Sequence, residues 1–442
     1  MIHSSKVAVC LSLLIPLLAL PTIYISNSAA TAEEFKLEAG EQLSWFKGNM
    51  HTHSHWSDGD DYLEMIALWY REHDYNFLVF TDHNVLANSD RWVTVKNTAG
   101  GPLAYGKLKI QFPGLVEERI SENGDLEVRL RRFDEVAKQF NAPGSYLLIQ
   151  GEEISDRFEE APIHLNVSNV VELIPPMTGT GIFETLQSNV RAALAQRQRT
   201  GQPMIIHLNH PNYGFGVTAE DLMRVVGENF FEVYNGHPGV RNSGDDRHAG
   251  TERIWDIILT WRLVELNLPL MYGLAVDDGH DYHEIPSRHS NPGRGWVEVL
   301  ASELTATALI ESLEAGRFYA SSGVSLKSVQ ASDEFLSVEV EAVEGETYTI
   351  EFVGTRSNFD RTSQPILDDE GKEVRATRRY SNDIGETLAV VSGPKAEYRF
   401  QGDELYVRAR VTSSTEHPNP SEVGDFTQAW CQPVHGPAAK TE

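Results

Sequence analysis

The residues best suited to chemistry are histidines and carboxylates that recur in short polar motifs. The first motif is HTHSHWSDG at 51–59, directly after a segment predicted to be a strand. Alternate side chains of an extended segment share a face, so His51 and His53 point the same way and both imidazoles can bind one metal ion. Asp58 follows at a turn that Gly59 permits, and its carboxylate offers a hard oxygen ligand. The motif therefore predicts a metal site.

Five further motifs of this kind lie at or near other predicted strand ends. They are TDHN (81–84), GEEI (151–154), PIH (162–164), HLNHP (207–211) and DDGH (277–280). Barrel enzymes build their sites where strands end, so we expect these side chains to converge. A single histidine is more often an ordinary core or surface residue. The repeated pairing of histidine with carboxylates at strand ends favours one shared site.

The elements that must position these motifs alternate between strand-like and helix-like segments from Trp45 to about Ser322. This alternation is typical of a parallel α/β architecture, and seven or eight units suggest a barrel. The predicted strands are Trp45–Met50, Phe77–Phe80, Tyr146–Gln150, His164–Val167, Met204–His207, Phe230–Val233, Leu270–Ala275 and Gly295–Leu300. The predicted helices are Asp61–His73, Ile182–Arg199, Ala219–Val226, Glu252–Leu263 and Thr305–Ala315.

Two regions depart from this alternation. Residues 85–144 are too long for an ordinary connection, so we predict an insertion over the barrel mouth with some helix of its own. Residues 323–433 alternate apolar and polar side chains between turn signals, which predicts a small antiparallel β-sandwich. The segment 434–442 is predicted to be a disordered tail.

The amino-terminal segment has the layout of a secretory signal. Lys6 precedes an apolar run and then the small residues Ala30-Thr31-Ala32, so cleavage is expected after residue 32. The alternative is an uncleaved membrane anchor, since the run approaches the roughly 20 residues that span a bilayer. The only cysteines are Cys10 and Cys431, so a cleaved chain has no internal disulfide and no thiolate zinc site.

Composition limits the partners. The chain has 442 residues, of which 41% are hydrophobic, enough for a large core and two domains. With 37 basic and 64 acidic residues its formal charge is −27, which argues against nucleic acid as a partner. We expect a secreted or periplasmic protein with a small-molecule substrate and no stable membrane association unless the signal stays uncleaved.

Taken together, HTHSHWSDG, TDHN, GEEIS, HLNV, NHPN and DDGH resemble the PHP (polymerase and histidinol phosphatase) family of metal-dependent hydrolases. The segments FEVYNGHPGV, DDGHDYH, NPGRGW and GRFYASSGVSL further resemble its secreted, carbaryl-hydrolase-like CehA/McbA branch. The resemblance covers about residues 45–432. It implies a distorted (β/α)7 TIM-like barrel at 33–322, followed by the small β-sandwich.

The resemblance also implies a ligand set for two or three divalent ions, with zinc, manganese or iron as the usual metals. The implied ligands are His51, His53, Asp58, His83, Glu153, His164, His210, Asp278 and His280. Two neighbours compete for these places. Glu152 is adjacent to Glu153, and His207 lies close to His210 and is either a supporting or a substrate residue.

Such ions bridge a water molecule, lower its pKa from about 15.7 towards 7 and supply the hydroxide nucleophile. His237 and Arg294 are the candidate substrate contacts, with turn capping or pairing to acids as the alternative. The first functional hypothesis is a phosphoesterase for a small substrate. The second is a carboxylic ester, carbamate or amide hydrolase, and the third is a non-catalytic, metal-bearing binding protein.

Overall fold

A computed structural model of the chain describes Met1 and residues 43–439. The predicted signal or anchor at 1–32, with Cys10, and the last three residues of the predicted tail lie outside the described residues. Within the described part, the protein is a mixed α/β structure around one sheet of 14 strands. No helix of that part has the length and apolar character to cross a membrane.

The first part of the chain, to residue 321, alternates strands and helices. Its strands are β1 (Ser44–Asn49), β2 (Phe77–Phe80), β3 (Arg91–Thr94), β4 (Glu118–Ile120), β5 (Leu126–Leu130), β6 (Leu147–Phe158), β7 (Ala161–Ser168), β8 (Ile205–Leu208), β9 (Phe230–Asn235), β10 (Tyr272–Val276), β11 (Trp296–Ala301) and β12 (Phe318–Ser321). Its helices are α1 (Leu63–Glu72), α2 (Gly101–Gln111), α3 (Phe133–Phe140), α4 (Ile182–Thr200), α5 (Ala219–Leu222), α6 (Thr251–Trp261) and α7 (Ala306–Glu314).

The second part is built from strands alone, apart from a short 3-10 turn near its end. Its strands are β13 (Leu326–Ala331), β14 (Phe335–Val340), β15 (Tyr348–Arg356), β16 (Ser363–Gln364), β17 (Arg379–Tyr380), β18 (Glu386–Ser392), β19 (Lys395–Arg399), β20 (Glu404–Glu416), β21 (Phe426–Cys431) and β22 (Val434–His435). Cys431, on β21, is a buried free thiol.

The strands that surround the site follow one another in the order β10-β9-β8-β7-β6-β2-β1-β11. The pairs β1 with β2, β2 with β6, β8 with β9 and β9 with β10 are parallel. However, β7 is antiparallel to both β6 and β8, and β11 is antiparallel to β1. The predicted parallel architecture therefore does not extend to these two strands.

The reversal at β7 has a simple cause and a useful consequence. Only Glu159 and Glu160 connect β6 to β7, and a parallel crossover needs a dozen or more residues. Because β7 runs backwards, its first half lies beside the carboxyl end of β8. His164 thereby reaches the end of the sheet where the other motifs lie, and its carbonyl accepts a hydrogen bond from the backbone N–H of Asn209 at 3.1 Å.

The segments beyond β1 and β10 are joined at the first histidine motif. Thr52 and Gly279 form a parallel bridge, and the backbone N–H of His53 donates to the carbonyl of Gly279 at 3.0 Å. Deeper in the sheet, the Asn49 side chain accepts a hydrogen bond from the N–H of Asp277 at 3.0 Å. These contacts place HTHSHWSDG and DDGH side by side, although Asn49 and Asp277 are 228 residues apart in the sequence.

The insertion at 85–144 contains a three-stranded antiparallel sheet, β3-β5-β4, in addition to helices α2 and α3. Its apolar side chains share a buried cluster with α1. The insertion also contacts the first histidine motif, because the Trp56 indole N–H donates to the carbonyl of Arg131 at 3.2 Å. The insertion therefore contains a small sheet in addition to the predicted helix.

The main sheet continues from β12 of the first part to four strands of the second part, in the order β12-β21-β20-β15-β18. A second sheet, β13-β14-β19, shares an apolar core with it. The predicted domain boundary is thus crossed by continuous strand pairing. Residues 434–439 are not a disordered tail as predicted. Val434 pairs with Val407 of β20 and packs against the same core, which gives these residues a fixed position.

Candidate metal centre

Four side chains form the innermost group, namely His51, His53, Glu153 and Asp278. The Nε2 atoms of His51 and His53 lie 3.5 and 3.3 Å from Glu153 Oε2 and 3.2 and 3.1 Å from Asp278 Oδ1. Donor atoms that share one ion at roughly 2.1 Å stand about 3.0–3.4 Å apart. Each of these histidine nitrogens is therefore spaced from both carboxylate oxygens as two ligands of one ion would be.

Glu153 also links this group to a second one through its other oxygen. Oε1 lies 2.9 Å from His164 Nδ1 and 3.4 Å from His210 Nε2, and it accepts a hydrogen bond from the Asn209 side chain at 2.7 Å. The two oxygens of one fully buried carboxylate thus face different histidines. A carboxylate placed in this way could be shared by two neighbouring ions.

A third, outer group opens to solvent. Asp58, whose side chain is 58% exposed, has its carboxylate oxygens 3.5 Å from His83 Nε2 and 3.4 Å from His280 Nε2. Together with His53, the potential ligand atoms of these residues lie within 4.8 Å of one another. His83 also reaches the centre, since its Nδ1 is 2.8 Å from Glu153 Oε2. The groups therefore form one connected cluster.

Local backbone geometry aims several of these side chains. Asp278 has a φ of 49° and Asn84, directly after His83, has a φ of 50°. Such left-handed conformations cost energy for residues other than glycine and concentrate at functional sites. At Gly59 a β-carbon would stand 2.5 Å from the His53 backbone, so only glycine allows the turn that carries Asp58.

The histidines are held by partners behind them. His51 Nδ1 lies 2.7 Å from Glu232 Oε1, and His280 Nδ1 donates to the Asp278 carbonyl at 2.8 Å. In both rings the opposite nitrogen, Nε2, faces the cluster. This is the arrangement by which metal-binding histidines are usually oriented. Sequence reasoning missed Glu232, although a lone acid inside the apolar strand FFEVYN was a usable signal.

The buried carboxylate of Glu153 is ionised because the histidines beside it favour its negative charge. Burial alone would raise the pKa of Glu153, but the adjacent histidines, His83 first, hold it well below its usual range. Burial would likewise lower the pKa of His51, but Asp278, Glu232 and Glu153 raise it well above the ordinary value. Among the described residues, the ion-pair partners of Glu153 are all histidines.

The pKa of His53 shifts in the opposite direction to that of His51. Burial, followed by the neighbouring His280 and His83, lowers the pKa of His53 to about 3, so its ring is neutral. Asp58 is the reverse case. Burial opposes its ionisation, but hydrogen bonds from His280 and His83 lower its pKa below the ordinary range. Neutral imidazole and ionised carboxylate are the ligand forms that a divalent ion requires.

Several buried atoms of the cluster have no hydrogen-bond partner among the described residues. They are His51 Nε2, His53 Nε2, Glu153 Oε2 and His164 Nδ1. Buried polar atoms are almost always partnered, so each such atom needs an explanation. Their convergence on one centre is explained if they coordinate cations. The nitrogen and oxygen donors present fit zinc, manganese or iron.

All nine ligands implied by the family resemblance lie in this cluster, although their binding of metal stays a prediction. Of the competing residues, Glu152 points away, and its Oε2 accepts the backbone N–H of Ile174 at 2.9 Å. Burial raises the pKa of Glu152 to about 8. His207 lies behind His51, with its Nε2 3.1 Å from Glu232 Oε1. Glu153 and His210 are thus the better-placed members of each pair.

The two candidate substrate contacts differ. His237 is half-buried at the edge of the cluster, with its ring 5.5 Å from that of His280. Arg294 is fully buried, and its guanidinium donates to the carbonyls of Gly236 and Ser287 and to Asn419. The predicted substrate contact at Arg294 is therefore wrong, because its hydrogen-bond donors already bind groups inside the protein.

An open cleft of about 1100 Å³ adjoins the cluster at His164. Its lining contains residues of the β6–β7 hairpin together with Tyr213. The Tyr213 ring is 39% exposed, and its centre is 5.2 Å from that of His210. The cleft therefore gives a small molecule access to the cluster at His164.

No protein-family model matches the chain, and no curated protein matches it. Among solved structures, a two-domain protein from Bacteroides vulgatus, described as containing a predicted PHP-like metal-dependent phosphoesterase, is 14% identical with a TM-score of 0.37. The match covers 84% of this chain and 90% of that one. A proposed metal-dependent phosphoesterase from Bifidobacterium adolescentis is 13% identical with a TM-score of 0.29, over 61% of this chain and 96% of that one. At these values neither neighbour decides the fold or function of this chain.

Proposed function

We propose that this protein is a metal-dependent hydrolase of the PHP type, in its CehA/McbA branch, and that it acts as a phosphoesterase on a small substrate. The observation that carries the proposal is the shared carboxylate of Glu153, which lies between two sets of histidines whose buried nitrogens lack other partners. The ligand set would hold two or three divalent ions of zinc, manganese or iron.

Such ions, when bound, supply Lewis-acid activation of water and neutralise charge on the oxygen attacked. The protein supplies the rest. Glu153 and Asp278 fix the inner group, Asp58 closes its solvent side, and the cleft at His164 admits the substrate. Tyr213 offers an aromatic surface for the group that leaves. Burial lowers the pKa of His237, whose Nδ1 accepts the backbone N–H of Gly239, so its other ring nitrogen can donate a hydrogen bond to the substrate.

One observation favours acyl chemistry as the second candidate. Three acids, Asp156, Glu159 and Glu160, and one cation, Arg157, line the cleft. A phosphate dianion is repelled by such a surface, whereas a carboxylic ester, carbamate or amide is not. For the phosphoesterase, a phosphodiester with one negative charge is therefore a better substrate than a monoester.

The test is a paired screen of metal-reconstituted protein. We expect hydrolysis of bis(p-nitrophenyl) phosphate above that of p-nitrophenyl phosphate, and above p-nitrophenyl acetate and a p-nitrophenyl carbamate. Turnover of the acyl series alone would replace the first candidate by the second. Metal binding without turnover of any substrate would favour a metal-bearing binding protein and contradict the proposal.

The proposed location is outside the cytoplasm, following cleavage after residue 32. Amino-terminal sequencing of protein exported by the native host is expected to begin at Glu33. Recovery of the intact chain in the membrane fraction would show an uncleaved anchor instead.

A further inference from the structure

Glu232 lies behind the innermost group, in the middle of β9. It is a fully buried acid between apolar neighbours, with Phe231 and Val233 on either side. An isolated carboxylate is expensive to bury, and its retention requires compensating contacts. Those contacts here all come from residues of, or next to, the metal cluster.

Four donors saturate this carboxylate. Oε1 lies 2.7 Å from His51 Nδ1 and 3.1 Å from His207 Nε2. Oε2 accepts the backbone N–H of His210 at 2.8 Å and the side-chain N–H of Asn235 at 2.8 Å. Each oxygen thus has two nitrogen neighbours, and the 2.7 Å between Oε1 and His51 Nδ1 is the length of a hydrogen bond, shorter than the spacing of two ligands on one ion.

Each of these hydrogen bonds fixes the position of a residue in the metal cluster. The bond to His51 Nδ1 requires a proton on that nitrogen, so Nε2 is the nitrogen left to face Glu153 and Asp278, where it would bind an ion in place of its own proton. Asn235 uses its second amide hydrogen on Asp278 Oδ2 at 3.1 Å. The bond to the His210 backbone holds the start of the loop that carries that ring. One acid therefore orients three members of the cluster.

We propose that Glu232 is the positioning residue of the inner group, and that it sets the affinity of the ion held by His51, His53, Glu153 and Asp278. The inference rests on the proposed metal site but goes beyond it, since Glu232 binds neither ion nor substrate. Its action on Asp278 passes through Asn235. The outer group at Asp58 has no contact with Glu232 and keeps its own affinity.

The experiment compares Glu232→Gln with Glu228→Gln. Glutamine has the same shape but places an NH₂ where a second acceptor is needed, so it opposes either the histidine pair or the His210 and Asn235 donors. Glu228 is a matched control. It is a buried glutamate just before the same strand, and it accepts the N–H of Phe230 at 2.8 Å.

Metal content is measured by mass spectrometry after equilibration with graded chelator, using zinc and manganese as probes. We expect Glu232→Gln to weaken the binding of one ion by about 10–100-fold while the remaining content is unchanged. Glu228→Gln should match wild type. Equal affinity for every ion in Glu232→Gln and wild type would overturn the inference.

Asn235→Ala provides a second variant if Glu232→Gln does not fold. It removes only the link to Asp278, and we expect a loss of affinity of the same ion by tenfold or more. Unchanged affinity in folded Asn235→Ala would also overturn the inference. If wild type itself binds no metal, the proposed function fails, and that result is distinct from a variant that behaves like a metal-binding wild type.

Discussion

The substitution Asp278→Asn tests the inner group with the least disturbance. Asp278 adopts a φ of 49°, where alanine costs about 1–2 kcal/mol of backbone strain but asparagine is well tolerated. The side chain keeps its shape and loses its charge. Any loss of metal can then be attributed to the carboxylate rather than to the backbone.

The expected magnitude follows from the contacts. Asp278 Oδ1 lies 3.2 and 3.1 Å from the Nε2 atoms of His51 and His53, so it stands in the ligand shell itself. Deleting a partner outside that shell typically costs 10–100-fold in affinity or activity. We therefore expect at least about 100-fold, or about 2.8 kcal/mol, for Asp278→Asn.

The neighbouring Asp277→Asn is the control. Asp277 faces away and accepts hydrogen bonds from the Tyr70 hydroxyl at 2.7 Å and from the backbone N–H groups of Arg294 and Gly295 at 2.6 and 2.9 Å. The Asp277→Asn substitution should lower the free energy of unfolding by about 1–3 kcal/mol, but the protein should retain metal. Metal content, turnover and thermal unfolding of the stripped proteins are compared. Full metal content and turnover in Asp278→Asn would refute this reasoning.

Three further predictions follow from other contacts. Burial raises the pKa of Glu228 to about 8 from 4.5, so the folded state keeps a proton that the unfolded state loses. The stability of wild type relative to Glu228→Gln should therefore fall as pH rises from about 4.5 to 8, by chemical denaturation, and a flat difference would contradict this. Tyr213→Ala removes the aromatic wall of the cleft and should raise KM about threefold to tenfold with little change in kcat, whereas an unchanged KM would exclude the cleft. Arg294→Lys should cost about 2–4 kcal/mol in unfolding free energy without altering KM, and a raised KM would restore its substrate role.

Sequence patterns located most of the candidate ligands because each lies in a local motif at a strand end. His51 and His53, for example, need only their own spacing and the strand before them to be recognised. The residues behind them are different. Glu232 acts through His51, His210 and Asn235, which come from separate parts of the chain. No local sequence pattern predicts that these residues lie next to Glu232.

Strand direction was the other feature that local sequence patterns could not predict. The segment at His164 was recognised as a strand, but its antiparallel course depends on the short turn at Glu159 and on pairing with two distant neighbours. Arg294 was misjudged for a similar reason. Its charge suggested a substrate contact, and only the tertiary structure shows Asn419, from the far end of the chain, occupying its donors.

The most direct test of the metal centre is an anomalous difference map from crystals of the protein grown with zinc or manganese, collected at the absorption edge of the metal. We expect one peak in contact with His51, His53, Glu153 and Asp278, and at least one more beside His164 and His210 or beside Asp58, His83 and His280. A map without peaks at these side chains, in crystals soaked with either metal, would contradict the account.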